Sequence, residues 1–138
     1  MPSGETKRVV GTVLMVDDST SLRQALSHHL QQAGFRVTTA AEGVEGLWRA
    51  RQDVFDLVIT DVHMPAMGGL EFLSELRKVP TYKSTPVFVL TSDYSTERLA
   101  KARQLGVTVW LKKPVDVEAL VFNARHVLDV RRLSEGTP

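Results

Sequence analysis

Four short stretches of this 138-residue chain carry groups that can act together: the acidic pair Asp17-Asp18, a lone Asp61, the hydroxyl pair Thr91-Ser92 and the ammonium pair Lys112-Lys113 ahead of Pro114. Each follows directly on a run of aliphatic or β-branched residues. If the runs before Asp17 and Asp61 lie side by side, three carboxylates meet at one edge. Like charges held that close push at least one pKa upward unless a cation neutralises them, and a hard divalent ion with oxygen ligands, Mg²⁺ above all, suits one or two carboxylates plus waters. A carboxylate is also a nucleophile toward phosphorus. The resulting aspartyl phosphate forms by a transfer that depends mainly on positioning and on neutralising the equatorial oxygens, which a metal ion, a hydroxyl and an ammonium supply. Singly, each residue has a plainer reading: Asp18 or Ser19 as a helix cap, Thr91 as a good strand residue, Lys113 as a solvated charge. Only the ordered combination points to phosphoryl chemistry.

The elements that must position these groups follow from the hydrophobic rhythm. Strands are predicted at Thr12–Val16, Phe35–Thr39, Leu57–Thr60, Pro86–Leu90 and Val107–Leu111, all short and apolar enough to be covered on both faces. Between them the apolar spacing becomes three and four, as in Leu22, Ala25, Leu26, Leu30 and Ala33, and again in Val117, Leu120, Val121, Ala124 and Leu128. Gly34 and Gly106 fall where a helix must end in a left-handed residue, and Asp116 stands where it can cap the last helix. Five such strand–helix pairs define an α/β, doubly wound parallel sheet, and sheets of this kind bind ligands beyond the carboxyl ends of their strands. That edge is where all four chemical stretches lie.

Composition narrows the classes without choosing among them. Hydrophobic residues make up 43% and charged residues 24%, and the formal net charge of +1 leaves no electrostatic footprint for nucleic acid. The chain has no cysteine, so disulfides and thiolate metal sites are excluded. No apolar stretch approaches the roughly 20 residues of a membrane span and Met1–Thr6 lacks a signal-peptide pattern, so a cytoplasmic protein is expected; a monomer is the separate expectation for its assembly. The folded domain is predicted over 10–132, with flexible tails at 1–9 and 133–138. His28, His29, His63 and His126 show no zinc-ligand spacing.

The motifs Val16-Asp17-Asp18, Asp61-Val62-His63-Met64-Pro65-Ala66-Met67-Gly68-Gly69, Val89-Leu90-Thr91-Ser92 and Trp110-Leu111-Lys112-Lys113-Pro114 resemble, in that order, those of two-component response-regulator receiver domains, most closely the chemotaxis CheY type. The resemblance implies a flavodoxin-like (βα)5 fold with strand order 2-1-3-4-5. It also implies that Asp61 is the phosphoacceptor, that Asp17, Asp18, Asp61 and the backbone carbonyl of His63 hold Mg²⁺, and that Thr91 and Lys113 bind the phosphoryl oxygens. The Lys113–Pro114 bond is expected to be cis. Thr91 and the aromatic Trp110 would form the switch, with Trp110 entering space that Thr91 vacates on moving toward the phosphate. The side chains of His63 and Asp93, two residues beyond the phosphoacceptor and the switch threonine, are expected to tune phosphate lifetime.

A sensor histidine kinase is then the phosphodonor and a downstream protein, such as a flagellar motor switch, the target, reached through the fourth helix, fifth strand and fifth helix with Lys101, Arg103, Lys112 and Arg125. The chain is expected to be free-standing, and to carry out only its own phosphorylation and dephosphorylation rather than act as an enzyme on other molecules. A phosphate sink or an inactive docking receiver is the alternative within the same family. A flavin mononucleotide or nucleotide binder is disfavoured because Asp17 and Asp18 would repel a phosphate at Ser19-Thr20-Ser21 and no Walker or G-x-G-x-x-G motif is present. A dehalogenase-like phosphatase would need an acid where His63 stands.

Overall fold

The computed structural model describes residues 9–92 and 95–135. Its strands are β1 (Gly11–Val16), β2 (Phe35–Ala40), β3 (Leu57–Asp61), β4 (Val87–Thr91) and β5 (Val109–Lys112). The helices that alternate with them are α1 (Thr20–Gln32), α2 (Gly43–Gln52), α3 (Gly69–Arg77), α4 (Thr96–Gln104) and α5 (Val117–Glu135), with a short 3-10 turn at Pro80–Tyr82. All five strands are parallel in the order β2-β1-β3-β4-β5, the expected doubly wound arrangement.

Strand pleating sends alternate side chains to opposite faces, so the sheet carries two cores. Leu14, Val16, Val58, Val87 and Val89 pack against Leu47, Phe72, Leu73 and Leu76 of α2 and α3. Val13, Met15, Leu57, Ile59, Phe88 and Leu90 pack against Leu26 and Leu30 of α1 and Leu120, Ala124 and Leu128 of α5. The central strands β3 and β4 are buried at every residue, as predicted. The edge strands are not: β2 and β5 are only partly buried, each having a strand neighbour on one side only. On α1 the stripe also differs, since Ala25 is exposed and Ser27 is buried in its place.

The punctuation acts as the sequence requires, with one consequence for β5. Gly34 and Gly106 take φ of 101° and 74°. After α4, the Gly106 N–H donates to Arg103 O and the Val107 N–H to Ala102 O, so residue 107 is consumed in closing the helix. Thr108 then meets the sheet by donating to Val87 O at 2.8 Å and accepting from Val87 N–H on its hydroxyl at 3.2 Å. The regular strand therefore begins at Val109, two residues later than predicted. Asp116 caps α5 as expected, its carboxylate accepting from the Ala119 N–H at 3.1 Å.

Candidate functional site

The register of the central strands assembles the site. Val16 lies beside Thr60 and Asp61 beside Leu90, so the ends of β1, β3 and β4 come out at one level. Carboxylate oxygens of Asp17, Asp18 and Asp61 lie within 4.8 Å of one another, with Asp17 and Asp61 buried and Asp18 exposed. Among the described residues, no other group of three carboxylate, histidine or cysteine side chains is arranged this way.

Each oxygen of Asp61 has a defined neighbour. Oδ2 lies 3.0 Å from Lys113 Nζ, and Oδ1 accepts from the His63 backbone N–H at 3.3 Å. Lys113 arrives from the end of β5, where its own N–H donates to Thr91 O at 2.9 Å and its bond to Pro114 is cis. Thr91 closes β4 and is fully buried. Trp110 faces the same side of the sheet as Val89, its register partner, and packs half-buried against the core under α2 and α3. The His63 side chain is exposed beside the carboxylates, while Asp93 lies outside the described residues.

Asp17 shows why the cluster suits a cation. Its Oδ1 accepts from the Ser19 N–H at 2.8 Å, and its backbone carbonyl accepts from the Arg23 guanidinium at 2.6 Å. Its Oδ2 is buried, accepts no hydrogen bond, and lies 3.7 Å from Lys113 Nζ, beyond hydrogen-bonding reach. Burial pushes the Asp17 carboxyl upward; the Ser19 N–H and the Lys113 charge oppose that, and the Asp61 and Asp18 charges reinforce it. A buried, under-satisfied carboxylate oxygen beside two further carboxylates, one open to water, fits an ion that takes a few carboxylates and keeps several waters. The first helix is capped by Ser19, whose hydroxyl accepts from the Leu22 N–H, which leaves Asp18 available to the site.

Sequence reasoning left three contributors without a role. Gly69, at the start of α3, runs so close to the end of β3 that a Cβ there would sit 1.9 Å from Asp61 O. Its signal was the Gly68-Gly69 pair closing the second motif. Ala66 adopts a φ of 65° in the tight turn where the Met67 N–H donates to Pro65 O, and no local cue marked it. Arg98, in the first turn of α4, lines a cavity of about 420 Å³ together with Asp18 and His63. A lone arginine on a helix gives no sign of this in sequence.

The family model for the response regulator receiver domain matches residues 13–125. A probable chemotaxis protein CheY of Rhizobium etli is 36% identical over 109 residues, covering 78% of this chain and 84% of that protein. A probable transcriptional regulator, ycf29 of Porphyra purpurea, is 36% identical over 116 residues, covering 84% of this chain. The chain spans 56% of ycf29 and about a quarter of other transcriptional regulators that it matches. Among solved structures, the chemotaxis protein CheY4 of Vibrio cholerae superposes with a TM-score of 0.80 at 45% identity, over 84% of this chain and 97% of that one. With the strand order, the acidic cluster and the matched motifs in agreement, the chain belongs to the response regulator receiver domain family and is CheY-like.

Proposed function

We propose that this receiver is phosphorylated on Asp61, with Mg²⁺, by a sensor histidine kinase, and that it signals through a phosphorylation-driven change at Thr91 and Trp110. The observation that carries the reading is the pairing on Asp61: an ammonium 3.0 Å from one oxygen and a backbone N–H on the other, beside two further carboxylates. Asp17, Asp18, Asp61 and the His63 carbonyl are the ligands proposed for Mg²⁺, which when bound neutralises charge on the transferring phosphoryl group. Thr91 and Lys113 then hold the phosphoryl oxygens, each through a charge-assisted hydrogen bond. His63 and Asp93 tune how long the phosphate lasts.

A chemotaxis pathway with a flagellar motor target is the output we favour, supported by likeness to CheY proteins. We also propose a cytoplasmic, monomeric protein that performs no chemistry on other molecules; no helix among the described residues is long and apolar enough to cross a membrane. Acid-quenched intact mass after incubation with acetyl phosphate, with and without Mg²⁺, tests the core of this reading. Gain of one phosphoryl group that requires the metal supports it. No gain under either condition reduces the chain to a docking receiver.

Metal binding also has a stability signature. The folded-state pKa of Asp17 lies above its unfolded value near 3.8, so the folded state holds that proton more tightly. Stability from this group is fully present below the unfolded pKa and is lost as pH rises through the folded one. Metal-free Asp17→Asn protein should therefore melt above wild type at neutral pH, with the gap shrinking as pH falls toward about 4. Saturating Mg²⁺ should stabilise wild type by about 2–3 kcal/mol and leave Asp17→Asn unmoved. Equal Mg²⁺ shifts in both proteins would remove Asp17 from the metal site.

A further inference from the structure

Every polar group of Asp17 but one is held by the fold, and one of the holds comes from outside the acidic cluster. The Asp17 N–H donates to Ala40 O at 3.1 Å, and Oδ1 accepts from the Ser19 N–H at 2.8 Å. The carbonyl oxygen accepts from the Arg23 guanidinium at 2.6 Å, and among the described residues no other group donates to it. Asp17 is fully buried, so a carbonyl there without a donor is costly. Arg23 stands half-buried in α1, one turn after the cap Ser19, and pairs with no carboxylate among the described residues. Its other contact is long, 3.5 Å from Nη2 to Thr20 Oγ1. A cation this near a helix N-terminus opposes the helix dipole, so the residue does not serve the helix. The peptide unit is planar, and fixing the Asp17 carbonyl therefore fixes the plane that leads to the Asp18 Cα. Asp18 needs that support: it is exposed, and its carboxylate accepts no hydrogen bond from the described residues.

We infer that Arg23 is a positioning residue for the metal site: by holding the Asp17–Asp18 peptide, it aims the buried Asp17 Oδ2 and the exposed Asp18 carboxylate at one ion. The inference rests on the proposed binding of Mg²⁺ by this cluster. With its N–H, carbonyl and Oδ1 engaged, Asp17 keeps Oδ2 alone for a cation. Released from Arg23, the peptide turns until its carbonyl finds another donor. Both carboxylates then leave the places in which their oxygens lie within 4.8 Å of each other and of Asp61. Part of the binding energy of the ion goes into restoring them, and the observed affinity falls. Charge alone predicts the opposite sign. Deleting a cation near three carboxylates deepens the negative field and tightens Mg²⁺, whereas deleting a positioning bond weakens it.

The test is a calorimetric titration of the full chain with Mg²⁺, for wild type, Arg23→Met and Arg23→Lys, at a temperature where circular dichroism shows all three folded. Methionine keeps the apolar stem and the helix propensity but donates nothing, while lysine keeps a donor. Arg23→Met should bind Mg²⁺ about 10- to 100-fold more weakly than wild type, and Arg23→Lys should recover most of that loss. An Arg23→Met affinity equal to or tighter than that of wild type would show that the bond to Asp17 only braces the fold. Equal losses in the two variants would show that the donated bond is not what holds the site. Either result overturns the inference, while Mg²⁺ binding by wild type leaves the metal reading intact. A wild type that binds no Mg²⁺ overturns the metal reading and this inference with it.

Discussion

An Asp61→Asn chain should gain no phosphoryl group from acetyl phosphate and Mg²⁺, and a Lys113→Ala chain should gain it about 10²- to 10³-fold more slowly than wild type. The asparagine amide keeps the shape of the side chain but has no anionic oxygen to attack phosphorus. Lys113 acts differently. Its ammonium lies 3.0 Å from Asp61 Oδ2, held there by strand pairing, and in the proposed transfer it would meet the charge that accumulates on the phosphoryl oxygens. A preorganised charge of that kind costs no reorganisation at the moment of reaction. Lost metal is not the expected cause of the slow rate. Removing a cation beside three carboxylates raises the negative field on the metal site, so Lys113→Ala should bind Mg²⁺ at least as tightly as wild type, as a fluorescence or calorimetric titration would read. Wild-type phosphorylation of Lys113→Ala would show that the ammonium serves only to balance the buried aspartates.

Much of this site was legible because chemistry and topology coincide in sequence. Asp17, Asp61, Thr91 and Lys113 each end or follow an aliphatic run, and a parallel sheet with crossover helices brings the ends of such runs to one edge. What the sequence left unread depends on contacts between distant segments. The strand at Val107 gave way because the helix before it needed the Val107 N–H, a competition invisible to hydrophobic pattern. Arg77 reads as an ordinary surface arginine at the end of α3. In the fold its guanidinium donates to the carbonyls of Tyr82, Thr85, Leu105 and Gly106, tying the approach to β4 to the turn before β5. Tyr82 is likewise fully buried, its hydroxyl between the carbonyls of Ala50 and Asp53. Neither has a local signal, since their partners lie in other segments of the chain.

Gly69→Ala should destabilise the protein by about 3 kcal/mol or more, a larger cost than ordinary overpacking, because the new methyl meets backbone rather than a side chain that can turn aside. The added Cβ would lie 1.9 Å from Asp61 O, 2.8 Å from Asp61 C and 3.0 Å from Val62 Cα. Gly69 is also tied to that segment by its own N–H, which donates to Val62 O at 2.8 Å, so α3 cannot back away without breaking the bond. Relief must come from moving the end of β3, which carries the Asp61 carboxylate, or the start of α3. Gly68→Ala is the matched control: its Cβ would approach Val62 O at 3.1 Å, and its φ of −71° is open to any residue, so a shift of a few tenths of an ångström accommodates it. Urea unfolding of the two variants reads the difference, and the rate of phosphorylation by acetyl phosphate at a temperature where both are folded reads the displacement of Asp61. Gly69→Ala should fall behind Gly68→Ala in both. A Gly69→Ala chain as stable as wild type would mean that α3 starts farther from Asp61 than this fold places it.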